Sequence, residues 1–217
     1  MKHYVITILD NPRSVEVAQR CIDSGMDNGM HIEMWAATTP KDNLTKLMAT
    51  EGIGSSGFEE RWSRQPNCMA AFMSHYSLWK HCVEINEEVT IFEHDAWIVS
   101  PIPENIFYRG CISFGQPSYG QWNDPIRLGV NPLTSKKYFP GAHAYRIKPH
   151  IAQLMIEEAR VYAQPTDIFL TLDRFPFLEE YYPWPVIARD SFTTIQNENG
   201  IKAKHSYVKY GGKYEII

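Results

Sequence analysis

The feature that most constrains the fold is the order of apolar patterns at the start of the chain. Residues 4–9 form a β-branched apolar run of strand length that stops at a turn-forming Asp-Asn-Pro. A helical apolar spacing follows, with Ser14 placed to cap the helix and Gly25 placed to end it. Residues 31–37 form a second strand candidate. Strand, helix and strand at this spacing predict an α/β fold with a central, mostly parallel sheet flanked by helices.

The rest of the chain continues this pattern. Apolar periodicity predicts helices over residues 68–85 and 151–161, with Pro149 in the first turn of the second. Further strands are predicted at residues 89–92, 111–114 and 142–147, with an edge strand at 182–187. Residues 43–65 are rich in glycine and serine, which indicates a partly irregular, mobile excursion or an ordinary surface loop.

Composition limits the class of protein. The 217 residues are 44% hydrophobic and 21% charged, which is typical of a globular chain and sufficient for one sizeable domain over residues 1–217. The net charge of -4 gives no overall electrostatic attraction to nucleic acid or anionic membranes. Residues 198–217 form a basic C-terminal segment that could meet an anionic ligand, although a solvated tail is the commoner explanation.

Cysteine spacing and the N-terminal sequence bear on the cellular compartment in which the protein is expected. The four cysteines show no CxxC pairing, so each is predicted to be a small buried apolar residue. No stretch approaches the roughly 20 apolar residues of a membrane helix, and the first residues do not resemble a signal peptide. These observations favour a cytoplasmic protein without a transmembrane segment.

Two acidic residues follow the predicted strand at residues 89–92. Glu93 and Asp95 are separated by one residue, so in an extended strand both side chains point to the same side. Carboxylates at the carboxyl end of a parallel strand lie where open α/β sheets bind ligands. Hard oxygen ligands suit Mg²⁺ or Mn²⁺, which usually complete their coordination with water and substrate phosphates. A solvated strand end is the alternative interpretation of such a triplet.

A set of short segments, taken together, resembles glycosyltransferase family 25, which includes bacterial lipooligosaccharide and collagen galactosyltransferases. The main match is Ala71-Phe72-Met73-Ser74-His75-Tyr76-Ser77-Leu78-Trp79, followed by Ile91-Phe92-Glu93-His94-Asp95. Three shorter matches occur in the family's order: Val5-Ile6-Thr7-Ile8 with Asn11, Pro12 and Arg13; Gly141-Ala142-His143-Ala144-Tyr145; and Pro165-Thr166-Asp167. The family's usual Glu-Asp-Asp triplet is here Glu93-His94-Asp95, so the middle carboxylate is missing.

The resemblance implies a GT-A type, Rossmann-like sandwich and an inverting transfer of a sugar from a nucleotide-sugar donor, typically a uridine diphosphate sugar, with Mn²⁺ or Mg²⁺. Asp167, on a matched segment, is the candidate general base, although an N-terminal helix position would also favour an acid there. The candidate donor-binding residues are Thr7, Arg13, Ser74, His75 and Glu93. The candidate metal ligands are Asp95, Glu93 and His205.

Several alternatives stay open from the sequence. The acceptor would be a glycan or glycolipid hydroxyl, or alternatively a DNA base held through the basic C-terminal segment. A catalytically silent nucleotide- or carbohydrate-binding protein is the third possibility, because the middle acid is absent. Six aromatic residues could stack on sugars or could simply pack in the fold. They are Trp62, Tyr119, Trp122, Tyr181, Tyr182 and Trp184.

Overall fold

The computed structural model describes residues 1–189, 191–203 and 214–217. The helices are α1 (Pro12–Asp27), α2 (Leu44–Glu51), α3 (Gln65–Ile85), α4 (Pro149–Val161), α5 (Thr166–Phe169) and α6 (Glu198–Ala203). The strands are β1 (Lys2–Thr7), β2 (Glu33–Ala36), β3 (Val89–Glu93), β4 (Ala96–Ile98), β5 (Cys111–Ser113), β6 (Gly129–Pro132), β7 (Ala144–Ile147), β8 (Glu179–Tyr182), β9 (Val186–Ala188), β10 (Phe192–Thr193) and β11 (Glu215–Ile216).

The centre of the fold is a seven-stranded sheet with strand order β2-β1-β3-β7-β5-β8-β6. The pairs β1-β2, β1-β3 and β5-β8 are parallel, whereas β3-β7, β5-β7 and β6-β8 are antiparallel. Five strands therefore run in one direction, and only β7 and β6 run against them. This arrangement confirms the predicted α/β fold with a mostly parallel central sheet.

Helices cover the two faces of the sheet. On one face α3 and α4 pack over Ile91 and Tyr145, and the Trp79 ring of α3 stacks on Phe169 at a centroid distance of 5.5 Å. On the opposite face Ala18 and Cys21 of α1 pack with Val5, Phe92 and Ile112. Burial of apolar side chains on both faces explains why β1 and β3 read as continuous apolar runs instead of alternating ones.

The first helix begins and ends differently from the prediction. Asn11, not Ser14, is the N-cap, since its side chain accepts hydrogen bonds from the backbone N–H groups of Arg13 and Ser14. Pro12 therefore occupies the first turn, where its missing N–H has no cost. The helix continues through Gly25 to Asp27, and the left-handed conformation (φ 78°) falls on Gly29. The hydroxyl of Ser14 is used elsewhere, as described below.

The predicted edge strand at residues 182–187 is wrong. Residues 179–182 form β8, which is second from the edge of the main sheet, and residues 186–188 form β9, which pairs with β4 in a separate ribbon. Pro183 and Pro185 lie between the two strands, and neither can donate a backbone hydrogen bond to a neighbour. A continuous pairing across this segment is thereby interrupted.

The glycine-rich excursion contains a helix of its own. Asn43 caps α2 through its side chain, and Gly52 ends the helix with a left-handed backbone (φ 74°). The cysteines are buried and free, as predicted. Within the described ranges, no helix is both long enough and apolar enough to cross a membrane.

Candidate functional site

A cleft opens at the carboxyl ends of β1 and β3. Its cavity volume is about 80 Å³, and it meets a wider groove of about 450 Å³ along Ala37 and Thr38, which line both. The residues that line the cleft come from five segments of the chain. They are Ile6, Ile8, Ala37, Thr38, Thr39, Pro40, Asn67, Ala70, Ala71, Ser74, His75, Glu93, His94, Thr194 and Ile195.

The topology explains why the cleft lies here. The chain passes from β1 to β2 on one side and then from β2 across to β3 on the other side of β1. The connections therefore run in different directions at β1 and β3, and the loops that leave the carboxyl ends of these two strands separate. Open α/β sheets bind ligands in the crevice formed at such a switch point. Ser74, His75 and Glu93, all predicted to bind a donor, lie together in this crevice.

Glu93 is held by a chain of buried side chains from α3 and β7. The indole N–H of Trp79 donates to the hydroxyl oxygen of Tyr145 at 2.8 Å. This hydroxyl lies 3.0 Å from Nδ1 of His75, and Nε2 of His75 lies 3.2 Å from Oε1 of Glu93. The side chain of Glu93 is 27% exposed, whereas His75 is buried. The cleft thus contains a carboxylate whose position is fixed by buried side chains of α3 and β7.

The protonation of His75 follows from its surroundings. Burial lowers the pKa of His75 to about 3, so the ring is neutral at ordinary pH. The Tyr145 oxygen accepts from Trp79, and its proton is donated to Nδ1 of His75. The single ring proton of His75 is then on Nε2 and is donated to the Glu93 carboxylate, which can only accept. A neutral histidine in this tautomer orients the carboxylate without neutralising its charge.

Ser74 fixes a wall of the cleft. Its hydroxyl donates to the carbonyl of Ala70 at 2.9 Å and accepts the backbone N–H of Thr38, also at 2.9 Å. The side chain is fully buried. Ser74 therefore ties the loop after β2 to α3, and this loop forms one side of the cleft.

His94 is positioned from α1. The hydroxyl of Ser14 accepts the backbone N–H of Ile8 at 3.0 Å and lies 2.8 Å from Nδ1 of His94. The His94 ring also contacts Phe192 at a centroid distance of 5.7 Å. The helix position predicted to be a cap thus holds an imidazole at the end of β3.

Asp95 does not share the environment of Glu93. The strand ends at Glu93, and His94 and Asp95 form a turn, so the strand alternation that would place both carboxylates on one side does not continue. Burial, and next the charge of Asp95, raise the pKa of Cys21 on α1, which places Asp95 near the opposite face from His75. The strand alternation on which the expected pairing depends therefore ends at Glu93, and a joint role of Glu93 and Asp95 stays a prediction.

Of the predicted metal ligands, Asp95 has an oxygen atom that suits a divalent ion, whereas the described residues around it do not supply a full set of ligands. Oδ1 of Asp95 is buried and has no hydrogen-bond partner among the described residues, which suits a cation ligand. Oε1 of Glu93 is already engaged by His75. The described residues contain no group of three or more His, Cys, Asp or Glu side chains that could hold a metal. His205, the third predicted ligand, lies outside the described residues.

Two predicted donor-binding residues do not line the cleft. Thr7 is fully buried, and its hydroxyl donates to the carbonyl of Val5 at 3.0 Å, so its side chain is turned away from a ligand. Arg13 is 41% exposed and forms an ion pair with Glu215 of β11. Its guanidinium also lies 4.4 Å from the centroid of the Phe192 ring. A role for either residue in donor binding stays a prediction.

Asp167 lies on the first turn of α5. It accepts a hydrogen bond from the Tyr119 hydroxyl, and its Oδ1 accepts the backbone N–H of Ile168 at 3.0 Å. Burial raises the pKa of Cys68 on α3 to about 12, and the charges of both Asp167 and Glu93 add to this increase. Both carboxylates therefore lie near the N-terminal half of α3, although Asp167 does not line the cleft itself.

The predicted aromatic set is divided between packing and exposure. Tyr181 packs on Phe114, and Tyr182 packs edge-to-face on Trp184. Tyr119 binds Asp167, whereas Trp62 and Trp122 are exposed. No single sugar-stacking surface is formed by all six.

Sequence reasoning missed Tyr145, Trp79 and Ser14 as parts of the site. Tyr145 and Trp79 were placed in matched segments but had no assigned task. A tyrosine and a tryptophan in an otherwise apolar stretch offer a signal, because their polar atoms need partners when buried.

Comparison with known proteins shows which family the sequence matches. A family model described as glycosyltransferase family 25 (LPS biosynthesis protein) matches residues 26–170, which is 145 of the 217 residues. Among curated proteins, none matches the sequence. A solved structure of a CTP:phosphocholine cytidylyltransferase from Streptococcus pneumoniae is similar at 11% identity and a TM-score of 0.37, over 85% of this chain and 91% of that chain.

Proposed function

The chain belongs to glycosyltransferase family 25 and is a glycosyltransferase, and we propose that it transfers a sugar from a uridine diphosphate sugar to a glycan or glycolipid hydroxyl with inversion at the anomeric carbon. The observation that carries this proposal is the match over residues 26–170, because that range includes Ser74 and His75 of α3 and Glu93 and His94, which line the cleft.

Glu93 is proposed to bind the donor. Its carboxylate enters the cleft at the switch point and is held there by a neutral His75. A carboxylate that is already held in place loses little side-chain entropy when it accepts hydrogen bonds from sugar or ribose hydroxyl groups. The groove along Ala37 and Thr38 extends the cleft and gives room for a ligand larger than a monosaccharide.

Asp167 is proposed as the general base. In an inverting transfer the acceptor oxygen attacks the anomeric carbon as the bond to the diphosphate oxygen breaks, and the proton of the acceptor hydroxyl passes to a carboxylate. Asp167 is supported by its position near the N-terminal half of α3, which Glu93 also faces, and by the Tyr119 hydroxyl that orients it.

A divalent ion, Mn²⁺ or Mg²⁺, is proposed as cofactor. Asp95 would hold it through the buried Oδ1, with further ligands from water and the donor phosphates. When bound, the ion supplies positive charge next to the leaving diphosphate. The GT-A type of the fold is part of the same proposal.

The acceptor is proposed to be a saccharide. The alternative of a DNA base rested on the basic C-terminal segment, of which Lys204, Lys209 and Lys213 lie outside the described residues. That alternative stays a prediction, and no observation on the described residues favours it.

The test is transfer from a panel of uridine diphosphate sugars to oligosaccharide acceptors in the presence of Mn²⁺, with and without EDTA. We expect one donor to be used, with the opposite anomeric configuration in the product by proton NMR. Glu93→Gln and Asp167→Asn should lose at least about 100-fold in activity, a loss of about 2.7 kcal/mol in transition-state stabilisation. Asp124→Asn, an exposed acid, is the matched control. Retained configuration, or full activity in Asp167→Asn, would contradict the proposed base.

A further inference from the structure

The loop that leads into β6 presents apolar side chains to solvent. Ile126 is 99% exposed, Leu128 is 79% exposed and Trp122 is 37% exposed. All three lie within seven consecutive residues, which we call the 122–128 loop. Single exposed apolar residues are ordinary on a protein surface, whereas a group of them marks a place where another molecule binds.

The backbone of the 122–128 loop is anchored to the fold. The backbone N–H of Asn123 donates to the carbonyl of Ser135 at 3.2 Å. The side-chain amide of Asn131 donates to the carbonyl of Arg127 at 2.8 Å. Pro125, in the middle of the loop, is buried. The exposure of the apolar side chains is therefore a property of a held loop, which keeps them from folding back onto the core.

The 122–128 loop lies at the same end of the sheet as the cleft. β3 and β5 are both antiparallel to β7, and β8 is parallel to β5, so β3, β5 and β8 run in one direction. β6 runs against them, and its first residue, Gly129, pairs with Tyr182, the last residue of β8. The loop thus precedes β6 at the carboxyl end of β3, where Glu93 lines the cleft. Four strand spacings separate β6 from β3, a distance of roughly 20 Å.

The charge around the loop is opposite in sign to that of the whole chain. Residues 119–138 contain three basic residues, Arg127, Lys136 and Lys137, and one acid, Asp124, which gives a net charge of +2 against -4 for the chain. The bond from the loop to Ser135 brings the two lysines next to it. An apolar loop with basic neighbours fits the surface of a bilayer that contains anionic lipids.

The size of the loop favours a bilayer over a protein partner. A stable protein–protein interface takes about 20–30 residues from each side, and this loop has seven. Insertion into a bilayer needs only a few apolar side chains, because each one leaves water completely. Trp122 suits the same surface, since tryptophan favours the level of the lipid headgroups.

We propose that the 122–128 loop is a membrane-docking surface whose Ile126 and Leu128 side chains enter the bilayer, with Arg127 at the anionic headgroups. The inference rests on the proposed function and narrows its acceptor to a glycolipid held in that bilayer. Tyr119, three residues before the loop, donates to Asp167, the proposed base. A head group of several sugars that leaves the bilayer at the loop therefore extends towards the base.

The experiment measures binding of the full chain to lipid vesicles by sedimentation. The vesicles are phosphatidylcholine alone, or phosphatidylcholine mixed with anionic phosphatidylglycerol. We expect the wild type to bind the mixed vesicles, and the double variant Ile126→Ser with Leu128→Ser to bind them at least about 10-fold more weakly. Arg127→Gln should weaken binding to the mixed vesicles only, and added salt should weaken wild-type binding to them.

Phe107→Ser is the matched control. Phe107 is 90% exposed, but it lies four residues before the first residue of β5 and hence at the opposite end of the sheet from the cleft. This variant should bind vesicles as the wild type does, and thermal unfolding should show that every variant keeps its fold. Equal binding by the double variant and the wild type would overturn the inference, as would equal weakening in Phe107→Ser or failure of the wild type to bind either vesicle.

Light scattering separates docking on lipid from contact between two copies of the chain. The molar mass of the double variant in solution should equal that of the wild type. If the double variant is a smaller assembly and still binds vesicles normally, the loop is a contact between copies and the inference is wrong.

Failure of the proposed function gives a different result. If the wild type binds vesicles through the loop but transfers no sugar, the docking surface stands and the reaction is wrong. If sugar is transferred, the same oligosaccharide is offered free and linked to a lipid in the mixed vesicles. The ratio of lipid-linked to free transfer should fall about 10-fold in the double variant, in line with its weaker binding. An unchanged ratio would leave the reaction standing and contradict docking at the acceptor membrane.

Discussion

At the scale of single residues, the position of Glu93 depends on one N–H of His75. His75→Phe keeps an aromatic ring against Tyr145, with which His75 now stacks at 5.7 Å, but removes the donor to the carboxylate. A hydrogen bond to a charged group contributes about 1.5–3 kcal/mol, so kcat/KM should fall about 10- to 100-fold. The measurement is steady-state kinetics with the uridine diphosphate sugar that the transfer panel selects as donor.

Tyr145→Phe is the control for this prediction. It removes the hydroxyl that assigns the His75 tautomer but leaves the imidazole beside Glu93. Its loss of activity should be smaller than that of His75→Phe. If His75→Phe folds and keeps the wild-type kcat/KM while Glu93→Gln is inactive, His75 has no positioning role.

A second residue-scale prediction concerns the buried oxygen of Asp95. Mn²⁺ that binds only the folded chain raises its stability, by about 2.7 kcal/mol when the free ion is at 100 times Kd. Asp95→Asn keeps the shape of the side chain and removes the anionic ligand, so the Mn²⁺-induced increase in Tm should disappear. Glu16→Gln, an exposed acid on α1, should keep it. An unchanged Mn²⁺ response in Asp95→Asn would remove Asp95 from the metal site.

The residues of the site were only partly predictable. Ser74, His75 and Glu93 were found because they lie in the segments that resemble the family, and the cleft contains all three. The relative direction of Glu93 and Asp95 was not predictable, because the period of two holds only while the strand continues and β3 ends at Glu93. The link from Ser14 to His94 spans 80 positions and leaves no local pattern.

At the scale of elements, α3 and the loop after β2 depend on each other through Ser74. Ser74→Ala leaves the part-buried backbone N–H of Thr38 without its acceptor, which costs about 1 kcal/mol, the lower end of the range for a fully buried group. We expect faster hydrogen exchange at the Thr38 amide and a higher KM for the donor, with a smaller change in kcat, because this loop forms a wall of the cleft.

Ser77→Ala is a matched control on the same helix. Ser77 accepts the indole N–H of Trp35 at 2.9 Å and has no bond to Thr38. Its variant should lose stability without faster exchange at Thr38. If both variants raise the donor KM equally, the effect belongs to α3 as a whole and not to the bond with the loop.

Helix boundaries show which part of an element the sequence specifies. The predicted end of α3 at Ile85 is confirmed, but the helix begins at Gln65, three residues before the apolar period starts. Those three residues, Gln65, Pro66 and Asn67, are polar or cyclic and leave no mark in a hydrophobic pattern. Pro66 in the first turn was the available signal.

At the scale of the whole molecule, strand direction was predictable on one side of the sheet only. The parallel β1-β2 pair follows from short strand-helix-strand spacing, whereas β1 and β3, which are also parallel, pair across 87 positions, as in Lys2 with Val89. β7 instead pairs with both β3 and β5, and its closest residues in β3 are more than 50 positions away. Pairing over such a separation depends on the assembled core and not on a local pattern.

The assembled core also sets how the protein responds to acid. Burial, followed by the charge of Arg146, lowers the pKa of His3 on β1 to about 4, and burial lowers that of His75 to about 3. Both values lie below the ordinary value of 6.5, so between pH 6.5 and about 4 the unfolded chain binds more protons than the folded chain. The free energy of unfolding must therefore fall as the pH falls, by up to about 1.4 kcal/mol per pH unit for a fully shifted histidine.

His3→Gln tests this contribution without touching the cleft. Urea unfolding at pH 7 and pH 5 should show a loss of stability that is smaller in His3→Gln than in wild type by about 1 kcal/mol, after allowance for the partial exposure of His3. His150→Gln, at an exposed position of α4, should keep the wild-type loss because its side chain contacts solvent in both states. An equal loss in His3→Gln and wild type would mean that the core does not hold His3 in its neutral form, and the acid sensitivity would then come from other groups, of which His75 is one.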